Sequence, residues 1–286
     1  MRRVAGKVAF VTGAARGQGR SHALRLAEEG ADIIAVDICR DIESIGYPMA
    51  TQADLDETVA LVEKTGRRIS AERADVRDVA GLRAALARGV AEFGRLDIVV
   101  AQAGIAGMTG NPPWQAWSDV IDTNLIGVIN TIQVALPHLD DGASIIATGS
   151  MAALMDVAKT DNPGQDPGGA AYLVAKRGLS EYVHAIATEL AARKIRANVV
   201  HPTNCDTDML QSDVMYRTFR PDLPNPGRAD AEPVFYVQQA MPVPFVDPLD
   251  ISNTVLFLAS DESRYVTGMQ MRVDAGGYLK WYDYHI

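Results

Sequence analysis

The stretch KVAFVTGAARGQG, residues 7–19, joins a short apolar, β-branched run to three glycines spaced GxxxGxG. A run of this kind, bounded by turn residues, predicts a strand buried on both faces. Gly13, Gly17 and Gly19, with Arg16 and Gln18 between them, let the backbone turn sharply. They bring main-chain N–H groups to the start of the helix predicted by GRSHALRLAEEG, 19–30, where the helix dipole favours a phosphate. Such a turn is weak evidence alone, but the next apolar run, DIIAVD, 32–37, ends in Asp37. A carboxylate about 20 residues beyond the glycines can accept hydrogen bonds from ribose hydroxyls, so the stretch predicts a dinucleotide-binding βαβ unit.

Working outward, further strand candidates are ISAERADV at 69–76, LDIVVA at 96–101, SIIATGS at 144–150, IRANVV at 195–200 and MQMRVDAGG at 269–277. Between them lie helical patterns at 79–94, 117–139, 171–192 and 250–260. Regular alternation implies a parallel sheet with right-handed crossovers. The expected fold is α/β: a single doubly wound Rossmann-type domain spanning 1–286, with about seven parallel strands and helices on both faces. Two segments break the rhythm. A long loop at 39–57 follows Asp37, and 203–247, rich in Pro, Met and aromatic residues, reads as an irregular lid.

With 48% apolar residues the chain can bury one large core, and 27 basic against 36 acidic residues give a net charge of −9. Without a basic cluster, neither nucleic acid nor an anionic membrane surface is expected as partner; a small molecule is. The two cysteines, Cys39 and Cys205, and five scattered histidines lack metal-site spacing, so no metal is expected. No apolar run approaches the ~20 residues of a membrane span, and MRRVAGKVAF leads into a strand rather than a signal-peptide core, so the expected location is the cytoplasm.

Arg16 beside the glycine loop could pair with the 2′-phosphate of NADP, but Asp37 would repel that phosphate and is followed by Ile38 rather than a cation. NAD is therefore the expected cofactor, and Arg16 reads as a solvated residue of the cofactor loop. Asp75, with Val76, is placed near the adenine edge; a merely solvated carboxylate at a strand end is the alternative.

At the chemical end, IIATGSMAAL, 145–154, puts Ser150 where the sheet's carboxyl edge opens. GAAYLVAKRG, 169–178, puts Tyr172 and Lys176 four residues apart on one helix face. A phenol titrates near ~10, so a nearby cation is needed to make it a base at neutral pH. With nine Tyr and six Lys, about 0.2 such pairs arise by chance. Together with Asn124 in DTNLIGV, 122–128, these residues arrive in the order of the short-chain dehydrogenase/reductase catalytic tetrad, and the chain resembles that family over about 5–277.

The resemblance implies that Tyr172 exchanges the alcohol proton, Ser150 holds the substrate oxygen, Lys176 supports the phenolate and grips the nicotinamide ribose, and Asn124 kinks its helix and holds a relay water. It places Ala103 and Gly104 near the adenosine, and Pro202, Cys205, Thr207 and Met209 near the nicotinamide. The family's Asn-Asn-Ala-Gly run is here Ala101, Gln102, Ala103 and Gly104, and its Pro-Gly is Pro202–Thr203, so the side-chain bond of the second Asn is in doubt. Cys205 reads as a packed residue rather than a nucleophile, and His201 as a strand-end residue.

The segment 37–78 resembles the mycofactocin-coupled, carveol-dehydrogenase-like branch. This implies a hydrophobic secondary alcohol or its ketone, alicyclic or terpenoid, and a retained NAD re-oxidised by the redox carrier mycofactocin. Met209, Met215, Tyr216, Phe219, Phe235 and Tyr236 suit a hydrophobic ligand, or lid packing. A homotetramer is also implied, with the aromatic tail GGYLKWYDYHI, 276–286, suited to an interface. Competing readings are a 3-oxoacyl or steroid-type reductase with exchangeable NADPH, an enoyl reductase, in which Tyr and Lys are usually seven apart, and a non-catalytic dinucleotide sensor.

Overall fold

Along the first strand, β1 (Val8–Thr12), alternate side chains enter two different cores: Val8 and Phe10 on one face, Ala9 and Val11 on the other. The computed structural model describes residues 2–108, 111–155 and 166–282. After β1 come α1 (Gly17–Glu28), β2 (Asp32–Asp37), α2 (Gln52–Lys64), β3 (Ile69–Arg73), α3 (Val79–Phe93) and β4 (Leu96–Ala101). Helix α4 (Pro113–Ile121) runs through a π-helical turn at Asp122–Ile126 into α5 (Gly127–Ala135). Then follow β5 (Leu139–Thr148), α6 (Pro167–Leu190), β6 (Arg196–Pro202), α7 (Asp213–Phe219), α8 (Arg228–Gln238), α9 (Pro248–Ala259), β7 (Gln270–Val273) and α10 (Gly277–Tyr282).

The seven strands pair in parallel in the order β3-β2-β1-β4-β5-β6-β7. Leu82 and Leu86 of α3, Ile132 of α5 and Leu179 and Val183 of α6 pack on one face, while Leu26 of α1 and Ile251, Val255 and Leu258 of α9 pack on the other. The chain reverses its direction of travel across the sheet between β1 and β4, and a ligand crevice opens at such a switch point beyond the strands' carboxyl ends.

Three sequence expectations change. The inserted loop stops at Thr51 rather than 57, because Thr51 and Asp54 form a capping box: the Thr51 Oγ1 accepts from the Asp54 N–H at 3.3 Å and the Asp54 carboxylate from the Thr51 N–H at 2.7 Å. The segment 203–247 is not wholly irregular but contains α7 and α8, and Phe235 of α8 is fully buried against edge-on Phe219, with ring centres 4.8 Å apart. The continuous helical stretch Pro113–His138 does meet the length and apolarity of a membrane span, with a mean hydropathy of 1.3; half of its apolar window is buried in the fold, as in a core helix. Of the tail 276–286, residues 283–286 lie outside the described residues.

Candidate active site

Two cavities meet at the carboxyl edge of the sheet. The first, about 890 Å³, lies over the switch point and is lined by Gly13, Arg16, Gly17, Gln18, Gly19, Asp37, Ile38, Asp75, Val76, Ala103 and Gly104. The second, about 1200 Å³, is lined by Ser150, Tyr172, Lys176, Pro202 and Cys205, with an apolar wall that includes Met108, Met151, Met155, Leu173 and Phe219. Gln18, Gln102, Gly104, Thr207 and Met209 belong to both, so the two form one crevice.

The glycine loop is shaped by close packing. Gly13 and Gly17 sit at φ +67° and +55°, and a Cβ on Gly19 would lie 1.9 Å from the Gly13 carbonyl oxygen. No side chain caps the start of α1. Asp37 accepts the Ala15 N–H at 3.0 Å and the Cys39 N–H at 3.1 Å, which fixes its carboxylate at the end of β2.

On α6, Tyr172 hydrogen-bonds Ser150. The Lys176 Nζ donates to the Thr148 carbonyl at 2.7 Å and lies 5.7 Å from the Tyr172 ring centre. A Cβ on Gly104 would meet Asn124 Oδ1 at 3.3 Å, a tight contact, and Lys176 Nζ at 3.7 Å, an ordinary one, so the loop after β4 runs close against both side chains. Asn124, fully buried in the π turn, lines neither cavity. Its Oδ1 accepts from the Ile105 N–H and its Nδ2 donates to the Ile105 carbonyl, each at 2.8 Å, so the side chain braces the loop after β4.

Against this geometry, the chain is 46% identical to (−)-trans-carveol dehydrogenase of Rhodococcus erythropolis over 286 residues, 98% of this chain and 100% of that protein. The crystal structure of carveol dehydrogenase from Mycobacterium avium in complex with NAD superposes with a TM-score of 0.90 at 48% identity, covering 98% of this chain and 100% of that one. A short chain dehydrogenase from Mycobacterium paratuberculosis bound to NAD gives 0.83 at 38% identity, covering 97% and 99%. The family model described as enoyl-(acyl carrier protein) reductase matches residues 13–278. The chain belongs to the short-chain dehydrogenase/reductase family.

Several family expectations meet a different local chemistry. Burial raises the Tyr172 pKa, and the Ser150 hydrogen bond only partly opposes it; burial alone lowers Lys176 to about 8. Lys176 can therefore favour a phenolate through its charge but not through a direct hydrogen bond, because its Nζ donates to Thr148. Gln102, standing for the second Asn, accepts hydrogen bonds from the Thr148 hydroxyl and from His22 Nε2, the latter at 3.1 Å, and so ties β4, β5 and α1 together. Arg16 is not a solvated side chain: it donates to the Pro48 carbonyl at 2.5 Å and pairs with Asp208 at 3.4 Å. Asp75 lines the first cavity but is engaged by Arg77 and Arg40, which hold its pKa low against the opposing effect of burial.

Cys205 is buried, which drives its thiol pKa up, as expected of a packed residue. His201 is fully buried in β6, and its Nδ1 touches both the N–H and the carbonyl of Ser150, at 3.1 and 2.9 Å; burial lowers its pKa. Met209, Met215, Tyr216, Phe219 and Phe235 join one apolar cluster, whereas Tyr236 is exposed.

Sequence reading missed Tyr47. The inserted loop buries it against the lid cluster, its hydroxyl accepts the Ala106 N–H at 3.0 Å, and burial raises its pKa to about 12. No pattern in a structureless 13-residue insertion marks which residue turns inward. Among the described residues no group of three His, Cys, Asp or Glu side chains could hold a metal.

Proposed function

We propose that this protein is an NAD-dependent dehydrogenase that interconverts a hydrophobic, alicyclic secondary alcohol and its ketone. The observation that carries this reading is the single crevice in which Ser150, Tyr172 and Lys176 face an apolar cavity continuous with the glycine-loop cleft. The cleft suits a dinucleotide: the start of α1 is uncapped, and Gln18 and Thr123, which line it, each keep a buried side-chain oxygen without a partner among the described residues. Gly13, Gly17 and Gly19 would hold the pyrophosphate, Asp37 the adenosine ribose, and Pro202, Cys205, Thr207 and Met209 the nicotinamide. When bound, NAD supplies the acceptor for the hydride leaving the carbinol carbon.

Tyr172 takes the alcohol proton and returns it in the reverse direction, while Ser150 holds the substrate oxygen. Lys176 would hold the nicotinamide ribose, and bound oxidised NAD would add its positive charge to that of Lys176 in support of the phenolate. The relatives act in the same sense, carveol being an alicyclic alcohol. Although the matching family model is described by an enoyl reductase, the four-residue spacing of Tyr172 and Lys176 favours carbinol chemistry. The test is Tyr172→Phe, assayed on a panel of alicyclic alcohols by the absorbance of reduced nicotinamide. Turnover should fall at least ~100-fold with NAD affinity kept; activity within a few fold of the parent would overturn the assignment.

A finer part of the proposal is that NAD is retained and re-oxidised in place by a carrier such as mycofactocin. Its support is the inserted loop, whose Ile42, Ile45 and Tyr47 pack with Met215 and Phe235 of the lid, while Arg16 links both segments across the cleft. Protein purified without added cofactor, then denatured, should release near-stoichiometric NAD. A nucleotide-free preparation that turns over freely with added NAD rejects retention. The same proposal includes a homotetramer, for which exposed Ile126 and Val174 offer apolar helix surface; sedimentation as a concentration-independent monomer would contradict it.

A further inference from the structure

In the second cavity most polar side chains are already committed. Thr148 and Gln102 bond to each other, Lys176 donates to Thr148, Thr207 donates to the Cys205 carbonyl at 3.3 Å, and Ser150 pairs with Tyr172. Besides Gln18 and Thr203, whose buried oxygens lack a partner among the described residues, two amides on the same lining are not. Asn204, just after β6, and Gln238, the last residue of α8, are joined by one hydrogen bond of 2.9 Å from Asn204 Nδ2 to Gln238 Oε1.

An amide side chain carries two N–H donors and an oxygen with two lone pairs. One mutual bond therefore leaves the Asn204 oxygen and the Gln238 NH₂ unspent, and neither has another partner among the described residues. Exchanging O and N in both amides leaves the same inventory. The surrounding wall is apolar, with Met151, Met155, Met209 and Leu210, so a substrate there meets few competing polar groups. In such a wall a matched polar contact discriminates, because a substrate that covers these half-buried amides without matching them leaves them unsatisfied.

Resting on the dehydrogenase reading above, we infer that the Asn204–Gln238 pair is a second polar station for the substrate. The carbinol oxygen sits at Ser150 and Tyr172, and a second hydroxyl or carbonyl oxygen of the same molecule meets the amide pair. The preferred substrate class is therefore an oxygenated alicyclic alcohol, a diol or hydroxyketone, rather than a plain hydrocarbon alcohol. The station spans two parts of the fold. Asn204 is held at the sheet edge, its carbonyl accepting the Val246 N–H at 2.9 Å, while Gln238 belongs to the lid, so the second oxygen also ties the lid to the sheet.

The test compares cyclohexanol with cyclohexane-1,2-, 1,3- and 1,4-diol on the NAD-loaded enzyme, by kcat/KM and by calorimetric Kd, in the parent, Asn204→Leu and Gln238→Met. In the parent at least one diol should exceed cyclohexanol about tenfold by either measure, and both variants should bring that ratio to within twofold. Gln238→Met keeps side-chain length on the lid helix, so the result does not depend on Asn204→Leu folding. Equal treatment of all four alcohols by the parent overturns the inference. So does a uniform loss on every alcohol in the variants, which would make the pair a strut of the lid. Tighter diol binding that needs the pair, with no reduced nicotinamide formed from any alcohol, upholds the station and rejects the dehydrogenase reading.

Discussion

Replacing Lys176 by methionine should remove a pH dependence built into the core of α6. Lys176 is 4% exposed, and burial lowers its pKa from 10.5 to about 8. Protonation therefore favours the unfolded chain. The neutral lysine costs nothing above pH 10.5, the penalty grows as pH falls through the interval, and it is complete below pH 8. At 1.36 kcal/mol per pH unit, the full penalty is about 3 kcal/mol, of which roughly 2.5 kcal/mol is recovered between pH 7 and pH 10. Other titrating groups are common to both proteins and cancel in the difference. Urea unfolding of nucleotide-free parent and Lys176→Met at pH 7, 8, 9 and 10 should thus show the parent gaining about 2 to 3 kcal/mol relative to the variant as pH rises. A difference independent of pH, or one running the other way, would refute the buried-ammonium reasoning, whatever the absolute order of the two stabilities. The hydrogen bond to Thr148 affects that order but not its slope once the folded pKa is set.

Three further outcomes follow from the cleft. Asp37→Ala removes the carboxylate that two main-chain amides hold in place, so the preference for NAD over NADP in kcat/KM should fall at least about tenfold; a parent enzyme already favouring NADP would contradict this reading. Gly19→Ala puts a methyl 1.9 Å from a backbone oxygen, and titration should show nucleotide affinity falling by at least about tenfold with the far-ultraviolet circular dichroism retained; unchanged affinity would show that the loop has room to move. Arg16→Met cuts the links to Pro48 and Asp208, and at up to about 1 kcal/mol for such partly exposed contacts NAD dissociation followed by stopped flow should quicken up to roughly fivefold. No change would mean the inserted loop and lid hold closed without it.

What could be read from the chain was whatever is encoded locally. The strand runs, the GxxxGxG turn, Asp37 at its strand end and the four-residue spacing of Tyr172 and Lys176 rest on periodicity and near-neighbour sterics, which survive in one dimension. The parallel sheet follows from their alternation, because crossovers have one hand. Even the extent of the lid helices was lost to this kind of reading, since Phe235 and Met215 are buried in a cluster that draws on segments as distant as the inserted loop, more than 160 positions away, rather than by a strong local pattern.

The tertiary structure alone decided the electrostatics and the closure of the crevice. Whether Lys176 hydrogen-bonds the phenol depends on the Thr148 carbonyl of β5, 28 residues away, which takes its hydrogen bond. Whether Arg16 is solvent-facing depends on Pro48 and Asp208, and whether Asn124 lines the cleft depends on Ile105, which occupies both ends of its amide. The residue types present in a site are set by sequence, but which donor meets which acceptor, and how much water remains between them, is set by packing between segments distant along the chain.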